Sequence, residues 1–221
     1  MKNIKGITMF SHMDLKLTIL FIGFVFGNFV TAFFVSKLYT DKKPTEFGSK
    51  NAGTANVGAV LGKQAGFLVS LGDVLKTVIA IVLSWYLFPE IPQLLTTLYA
   101  GIGLVVAHNF PFWQNFKGGK GVAVTGIVAI LYNWQVAIPV LLVALVIMIV
   151  TKNLTIPPLF AITAIAIIAF IVNHNFEAFI LMAILAALMY NRFWSDIQDI
   201  IHGRAKEVDV LKSLKQKYQK K

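Results

Sequence analysis

The sequence contains no cysteine and few charged residues of either sign. Without cysteine the chain can form no disulfide, no thiolate metal site and no thiol nucleophile. Charged residues make up only 14% of the 221 positions, apolar residues make up 57%, and the mean hydropathy is +0.73. A water-soluble domain of this size could not bury so much apolar surface in one core. Lipid must therefore surround most of these side chains.

Acidic residues are scarce as well, since 10 Asp and Glu stand against 20 Lys and Arg and give a net charge of +10. The basic residues lie between and after the apolar runs, and they form no stripe interleaved with stacking aromatics. This distribution is typical of membrane proteins that contact anionic lipid headgroups, and it does not indicate a nucleic-acid partner. The four histidines show no ligand spacing. We therefore predict no metal site and no cofactor.

Apolar runs predict an all-α polytopic membrane protein with about seven transmembrane helices. The runs are Leu17–Ser36, Gly66–Leu87, Leu94–Val106, Val122–Leu131, Val136–Val150, Pro157–Val172 and Phe176–Tyr190. The first two are long enough to span ~30 Å of hydrocarbon. The fourth is too short to span alone unless the bilayer thins or protein surrounds it, so it is alternatively the first half of a broken or re-entrant unit with the fifth. Five crossings are then the alternative count. No small-residue cleavage site follows the first run, so we expect this span to stay in the protein.

Lysine and arginine occur in alternate loops. They follow the first, third and fifth runs and fill the tail from Arg192, whereas the loops around Phe88–Pro92, Tyr132–Gln135 and Asn173–Asn175 contain none. By the positive-inside rule the basic loops and the C-terminus lie in the cytoplasm and the N-terminus outside, in a protein of the plasma membrane. The residues that oppose this orientation are Lys2, Lys5 and Lys16.

The chain divides into a membrane domain, residues 1–193, and a basic cytoplasmic tail, residues 194–221. Within the tail, Glu207–Lys221 places apolar residues at helical spacing among lysines. This pattern predicts an amphipathic helix on the inner membrane surface, and a solvated basic tail is the alternative.

The first polar loop whose residues could bind a ligand covers residues 47–58. Its small residues would let the backbone approach a ligand closely, and Ser49, Asn51 and Asn56 add neutral donors beside the charge of Lys50. This composition favours an oxyanion held at a membrane surface. An ordinary polar loop between helices is the alternative.

The second polar loop runs from His108 to Gly121 and ends in Lys-Gly-Gly-Lys-Gly immediately before the fourth apolar run. Amides at a helix N-terminus favour an anion, whereas two lysines there oppose the helix dipole, and a bound phosphate would remove that conflict. The glycine spacing is not that of a Walker A loop. A positive-inside anchor with a glycine turn is the alternative to phosphate binding.

Together, the two loops resemble those of the bacterial acyl-phosphate:glycerol-3-phosphate acyltransferases, membrane-embedded enzymes that make lysophosphatidic acid. The residues that carry the resemblance are Gly48, Ser49, Asn51, Gly53, Asn56 and Val57 in the first loop, His108, Phe110, Pro111 and Phe116–Ala123 in the second, and Asp73, Leu75 and Lys76 between them. The resemblance covers most of the chain.

Family resemblance implies a function and a set of site residues. The reaction would move a fatty acyl group from acyl phosphate to glycerol 3-phosphate in the inner leaflet, so the expected partners are membrane lipid and these two substrates. The catalytic residues implied are Ser49, Lys120 and Asp196. The substrate-binding residues implied are Lys50, Asn51, Gly53, Asn56, His108, Lys117, Gly118, Gly119 and Gly121. The sequence does not predict an oligomeric state.

Several positions depart from the family pattern. Ala59 stands where the family has an arginine, which removes a bidentate phosphate ligand, and Lys50 replaces a glycine and offers a substitute charge. After the last span, Phe193, Ser195 and Asp196 stand for a histidine, a glutamate and an asparagine. Asp196 is either a base or a solvated surface charge.

Two alternatives to an active enzyme stay open, and the departures favour the first of them. The first is a catalytically degraded paralogue that binds lipid phosphates or partners. The second is a small-anion transporter, which the number of spans and the short fourth run would suit.

Two ionisable residues fall inside the second span. Asp73 and Lys76 lie three positions apart and would face each other on a helix. They either line a polar site or form a local ion pair.

Overall fold

The computed structural model describes residues 12–205, and all of the regular structure in this range is helical. The helices are α1 (Met13–Gly27), α2 (Thr31–Tyr39), α3 (Thr54–Leu61), α4 (Lys63–Leu87), α5 (Gln93–Asn109), a 3₁₀ turn (Phe112–Gln114), α6 (Val122–Thr151), α7 (Ile156–Asn173), α8 (Phe176–Arg192) and α9 (Trp194–Ile201). The predicted amphipathic segment Glu207–Lys221 lies outside the described residues.

Five stretches are long and apolar enough to cross a membrane. They are Met13–Tyr39, Lys63–Leu87, Gln93–Gln114, Val122–Thr151 and Ile156–Asn173. A sixth is the pair α8 and α9, which is bent by 61°. The all-α, multi-pass architecture predicted from the apolar runs is thereby confirmed, whereas the orientation in the membrane stays a prediction.

Helix α6 contains the fourth and fifth predicted runs and is divided at Asn133, which has non-helical backbone angles (φ −157°, ψ 87°). Val122 and Leu141 line the same small apolar cavity. In a straight helix these two residues would lie about 28 Å apart, so the chain doubles back at Asn133. The fourth span candidate thus consists of two helical halves, and counting each half separately gives the seven segments read from the sequence.

Glycines bring α1 and α5 into backbone contact at the centre of the bundle. A Cβ atom on Gly103 would lie 2.0 Å from the Leu20 carbonyl oxygen, and one on Gly23 would lie 2.0 Å from the Ala100 carbonyl oxygen. Small residues are how membrane helices approach this closely, because lipid supplies no hydrophobic drive for their association. Helix α5 is consequently the most enclosed span, and large apolar side chains such as Phe21 and Leu142 are exposed on the outer helices.

A buried ionic cluster joins α1, α5 and α8 at one end of the bundle. The Lys16 ammonium is fully buried and donates to Glu177 Oε1 at 2.7 Å, and the Tyr99 hydroxyl donates to the same oxygen at 2.8 Å. Glu177 is in the first turn of α8 and Arg192 is its last residue. The cluster therefore lies at the opposite end of α8 from the site described next.

Candidate active site

The two polar loops predicted from the sequence meet at one end of the bundle. Gly119 lies between them, because a Cβ atom there would stand 2.9 Å from the Ala52 carbonyl oxygen and 2.2 Å from His108 Nε2. Gly121 adopts a left-handed conformation (φ 74°), and a Cβ atom there would lie 2.8 Å from Asn109 Oδ1. Both positions therefore need glycine, for lack of space at Gly119 and for backbone conformation at Gly121.

Hydrogen bonds hold the Lys-Gly-Gly-Lys-Gly segment from two sides. The Gly118 and Gly119 amides donate to the carbonyl oxygens of Asn109 and His108, at 3.1 and 3.0 Å. Arg192 binds the other side, since Nε donates to the Gly119 carbonyl at 3.0 Å and Nη2 to the Gly118 carbonyl at 3.2 Å. The two glycine amides are thus engaged by the chain itself. The donors that this segment still offers to an anion include the Lys117 and Lys120 ammonium groups and the amides in the first turn of α6.

Asn56 organises the first loop from within. Its buried side-chain nitrogen lies 2.9 Å from the Pro44 carbonyl oxygen, 3.2 Å from that of Phe47 and 2.9 Å from that of Asn51. Its side-chain oxygen accepts from the Ser49 amide at 2.8 Å. Asn56 was predicted as a substrate ligand, but its polar atoms bond the loop backbone, and they thereby fix the loop that carries Ser49.

Behind the glycine segment lies a buried network of ionisable side chains. The Lys76 ammonium lies 3.0 Å from Asp73 Oδ1, 2.8 Å from the Phe29 carbonyl oxygen and 2.9 Å from His108 Nδ1, and Thr31 Oγ1 donates to Asp73 Oδ1 at 3.1 Å. Because an ammonium group only donates, His108 Nδ1 is the acceptor, which places the ring hydrogen on Nε2 beside Gly119. The sequence left a local ion pair and a site-lining pair as alternatives. The structure has the ion pair, and it extends to His108.

Lys120 is paired with a residue of the divergent third motif. Its ammonium makes an ion pair with Asp196 Oδ2 and lies 4.5 Å from the centroid of the Phe193 ring. Asp196 is in the first turn of α9, and Phe193 is the residue at the bend between α8 and α9. Asp196 is therefore neither isolated nor simply a solvated surface charge.

Two asparagines at the site carry polar atoms without a hydrogen-bond partner among the described residues. They are Oδ1 of Asn51 and both side-chain polar atoms of Asn109, which is fully buried. Buried amides that lack partners cost about 1–3 kcal/mol each, so such atoms are expected where a ligand completes the bonding. A side-chain oxygen can accept from a hydroxyl, and a side-chain NH₂ can donate to a phosphate.

Three other residues predicted for the site are exposed at the surface. Ser49, Lys50 and Lys117 are exposed, and within residues 12–205 their side chains form no hydrogen bond or ion pair. Lys50 has a left-handed backbone (φ 58°). These three residues remain candidates on the family resemblance alone.

Sequence reasoning left Arg192 and Asn109 out of the candidate site. Arg192 is one of only two arginines in the chain and ends the last long apolar helix. A charged residue at that position in a membrane helix was the available signal. For Asn109 no comparable signal exists, because its significance depends on burial without a partner.

Comparison with known proteins identifies the family. A profile described as glycerol-3-phosphate acyltransferase matches residues 17–203. The chain belongs to the glycerol-3-phosphate acyltransferase family. It is 46% identical to glycerol-3-phosphate acyltransferase 1 of Lactobacillus acidophilus over 196 residues, which cover 89% of this chain and 93% of that protein. It is 41% identical to the enzyme of the same name from Lactobacillus johnsonii, over 90% of this chain and 95% of the relative.

A solved structure has the same architecture. The glycerol 3-phosphate form of PlsY, an integral membrane glycerol 3-phosphate acyltransferase, superposes with a TM-score of 0.80 and 26% sequence identity. The match covers 90% of this chain and 98% of PlsY. Membership of this acyltransferase family leaves the transporter alternative without support.

Within the family, the departures of this chain now have a structural setting. Phe193 and Asp196 both contact Lys120, whereas Ser195 and Ala59 are exposed. Two of the divergent residues thus act together on one lysine of the well-matched second loop.

Proposed function

We propose that this protein transfers a fatty acyl group from an acyl phosphate to the 1-hydroxyl of glycerol 3-phosphate. The products are lysophosphatidic acid and inorganic phosphate, and the family supports acylation of glycerol 3-phosphate as a step of phospholipid synthesis. The proposal places the site on the cytoplasmic face of the plasma membrane. Residues 1–193 form the membrane-embedded part, and residues 194–221 form a basic tail at the inner surface.

The observation that carries the proposal is the position of Lys120. It lies two residues before the start of α6, in the glycine segment that packs against Ala52 of the first loop. The backbone of His108 and the guanidinium of Arg192 hydrogen-bond this segment and hold it in place. An ammonium group and helix-terminal amides at one point form a site for a phosphate group. Lys120 would neutralise the charge that grows on the phosphate as it leaves.

Acyl transfer needs little further chemistry from the protein. The glycerol oxygen attacks the acyl carbonyl carbon, the bond from that carbon to the phosphate oxygen breaks, and the hydroxyl proton passes to the departing phosphate, which leaves as hydrogen phosphate. Because the leaving group itself takes the proton, the reaction does not depend on a protein base. The absence of the family's histidine and glutamate at Phe193 and Ser195 is therefore compatible with turnover.

The test is phosphate release from palmitoyl phosphate by the purified full-length protein, with and without glycerol 3-phosphate. We expect release that depends on the acceptor and falls by about 100-fold or more in Lys120→Ala, the range for loss of one group that stabilises transition-state charge. Lys63→Ala is the control, because Lys63 is an exposed lysine at the start of α4. Equal rates in wild type and Lys120→Ala would overturn the role of Lys120.

A second candidate is the catalytically degraded paralogue that binds lipid phosphates without turnover. The ion pair between Lys120 and Asp196 favours it, because the lysine expected at the phosphate is already occupied. Binding of palmitoyl phosphate without release would support this alternative. Complementation of an acyltransferase-deficient cell by the wild-type protein would exclude it.

A further inference from the structure

The Lys120 ammonium is held by the chain's own third motif. Asp196 supplies the carboxylate and Phe193 supplies the aromatic ring, and both side chains belong to the bend between α8 and α9. The pair is only partly enclosed, with 23% of the Lys120 side chain and 33% of the Asp196 side chain exposed. A ligand can therefore reach both groups from solvent.

Asp196 is well placed to keep this partner. It lies in the first turn of α9, where the helix dipole favours a negative charge. Arg192 is four residues earlier in the chain, and its guanidinium is already committed to the Gly118 and Gly119 carbonyls. The carboxylate consequently has Lys120 as its ion-pair partner among the described residues.

A phosphate bound at the start of α6 would require the same ammonium. One ammonium can donate to both anions, but two negative charges at close range repel each other, so a carboxylate at Lys120 opposes the binding of a phosphate there. We propose that Asp196 is a built-in competitor of the phosphate group: its carboxylate pairs with Lys120 and is displaced when a phosphate ligand binds there. The identity of that ligand as a substrate rests on the proposed function, whereas the competition itself does not.

This competition should lower the affinity for phosphate ligands and speed the release of inorganic phosphate. It weakens binding of every phosphate ligand at Lys120, and it also helps to expel inorganic phosphate after the reaction because the carboxylate returns to the lysine. Removing the carboxylate should therefore lower the KM for acyl phosphate and the Kd for inorganic phosphate without raising kcat.

The experiment compares wild-type full-length protein with Asp196→Asn and Asp199→Asn, by calorimetric titration with inorganic phosphate and by steady-state kinetics. Asp199 is the matched control, because it is on the same helix and its pair with Arg204 is solvent-exposed at 3.3 Å. We expect Asp196→Asn to tighten phosphate binding and to lower KM by roughly three- to tenfold, the size expected for a partly exposed ion pair. Asp199→Asn should change neither constant, and Asp196→Ala provides the same comparison if the amide variant is unstable.

Dependence on Lys120 separates competition from a structural effect. In a Lys120→Ala background, Asp196→Asn should no longer change the Kd for phosphate, because the shared ammonium is gone. Unchanged or weaker phosphate binding in Asp196→Asn would overturn the inference while leaving the acyltransferase proposal intact. Tighter phosphate binding in a protein that never turns over palmitoyl phosphate would uphold the inference and overturn the proposed function.

Discussion

At the scale of single residues, the site depends on where a side chain is missing as much as on where one is present. Gly119 has no room for a methyl group, because both His108 Nε2 and the Ala52 carbonyl would contact it. Gly126, four positions after Val122, the first residue of α6, has no atom of another part of the chain within 4 Å of its ideal Cβ position. The two glycines therefore have opposite tolerance for the same substitution.

We predict that Gly119→Ala reduces kcat/KM for acyl transfer by about 100-fold or more, because small displacements of catalytic groups are costly. The added methyl group must push apart the two loops that meet at Gly119. Gly126→Ala should retain the wild-type kcat/KM. Steady-state kinetics on both proteins checks the prediction, and a Gly119→Ala enzyme as active as Gly126→Ala would contradict it.

The buried network of Asp73, Lys76 and His108 makes a second prediction at this scale. Lys76→Met leaves the Asp73 carboxylate buried without its cation, which typically costs about 3–5 kcal/mol of stability. The double variant Asp73→Asn/Lys76→Met contains no unpaired charge and should recover most of that loss. Unfolding of the detergent-solubilised proteins measures both changes, and Lys63→Met on the exposed start of α4 is the control. A single variant as stable as wild type would show that the pair contributes nothing.

At the scale of helices, the close backbone contact between α1 and α5 leaves no room for a side chain at Gly103. We predict that Gly103→Ala destabilises the protein by about 1–3 kcal/mol, the usual range for an overpacked core. The cause is the 2.0 Å approach of a new Cβ to the Leu20 carbonyl, which flexible side chains cannot relieve. Gly126→Ala again serves as the control for helix propensity. Equal midpoints in thermal unfolding for the two variants would contradict the prediction.

The helices themselves were largely predictable, and their contacts were not. Apolar runs locate spans because every backbone polar group in lipid must be bonded within its own helix. The break at Asn133 lay in the gap between two predicted runs, so the sequence indicated its place. The ion pair between Lys120 and Asp196 joins residues 76 positions apart, and local periodicity contains no information about such contacts. The glycine amides were predicted as phosphate ligands, and only the structure shows that the amides of Gly118 and Gly119 donate to backbone carbonyl oxygens instead.

At the scale of the whole molecule, the composition makes the predicted orientation in the membrane simple to test. The chain has no cysteine, so a single introduced cysteine reports one position without interference. We predict that Glu90→Cys reacts with a membrane-impermeant maleimide in intact cells, whereas Lys50→Cys reacts only after the membrane is opened. Both native residues are exposed, so the reagent's access to the two cysteines differs only by the side of the membrane on which each lies. The reverse labelling pattern would invert the predicted topology and move the site to the outer face.

The ionic cluster at the far end of the bundle also bears on the order in which the protein is assembled. Lys16 is in α1, and its carboxylate partner Glu177 is made 161 residues later, at the start of α8. During synthesis the first span is therefore made long before Glu177, and the ion pair between Lys16 and Glu177 forms only after the start of α8 has been made. A chain that stops before α8 lacks Glu177, so this ion pair between α1 and α8 cannot form in it. Synthesis of α8 is thus required before α1 can form its ion pair across the bundle.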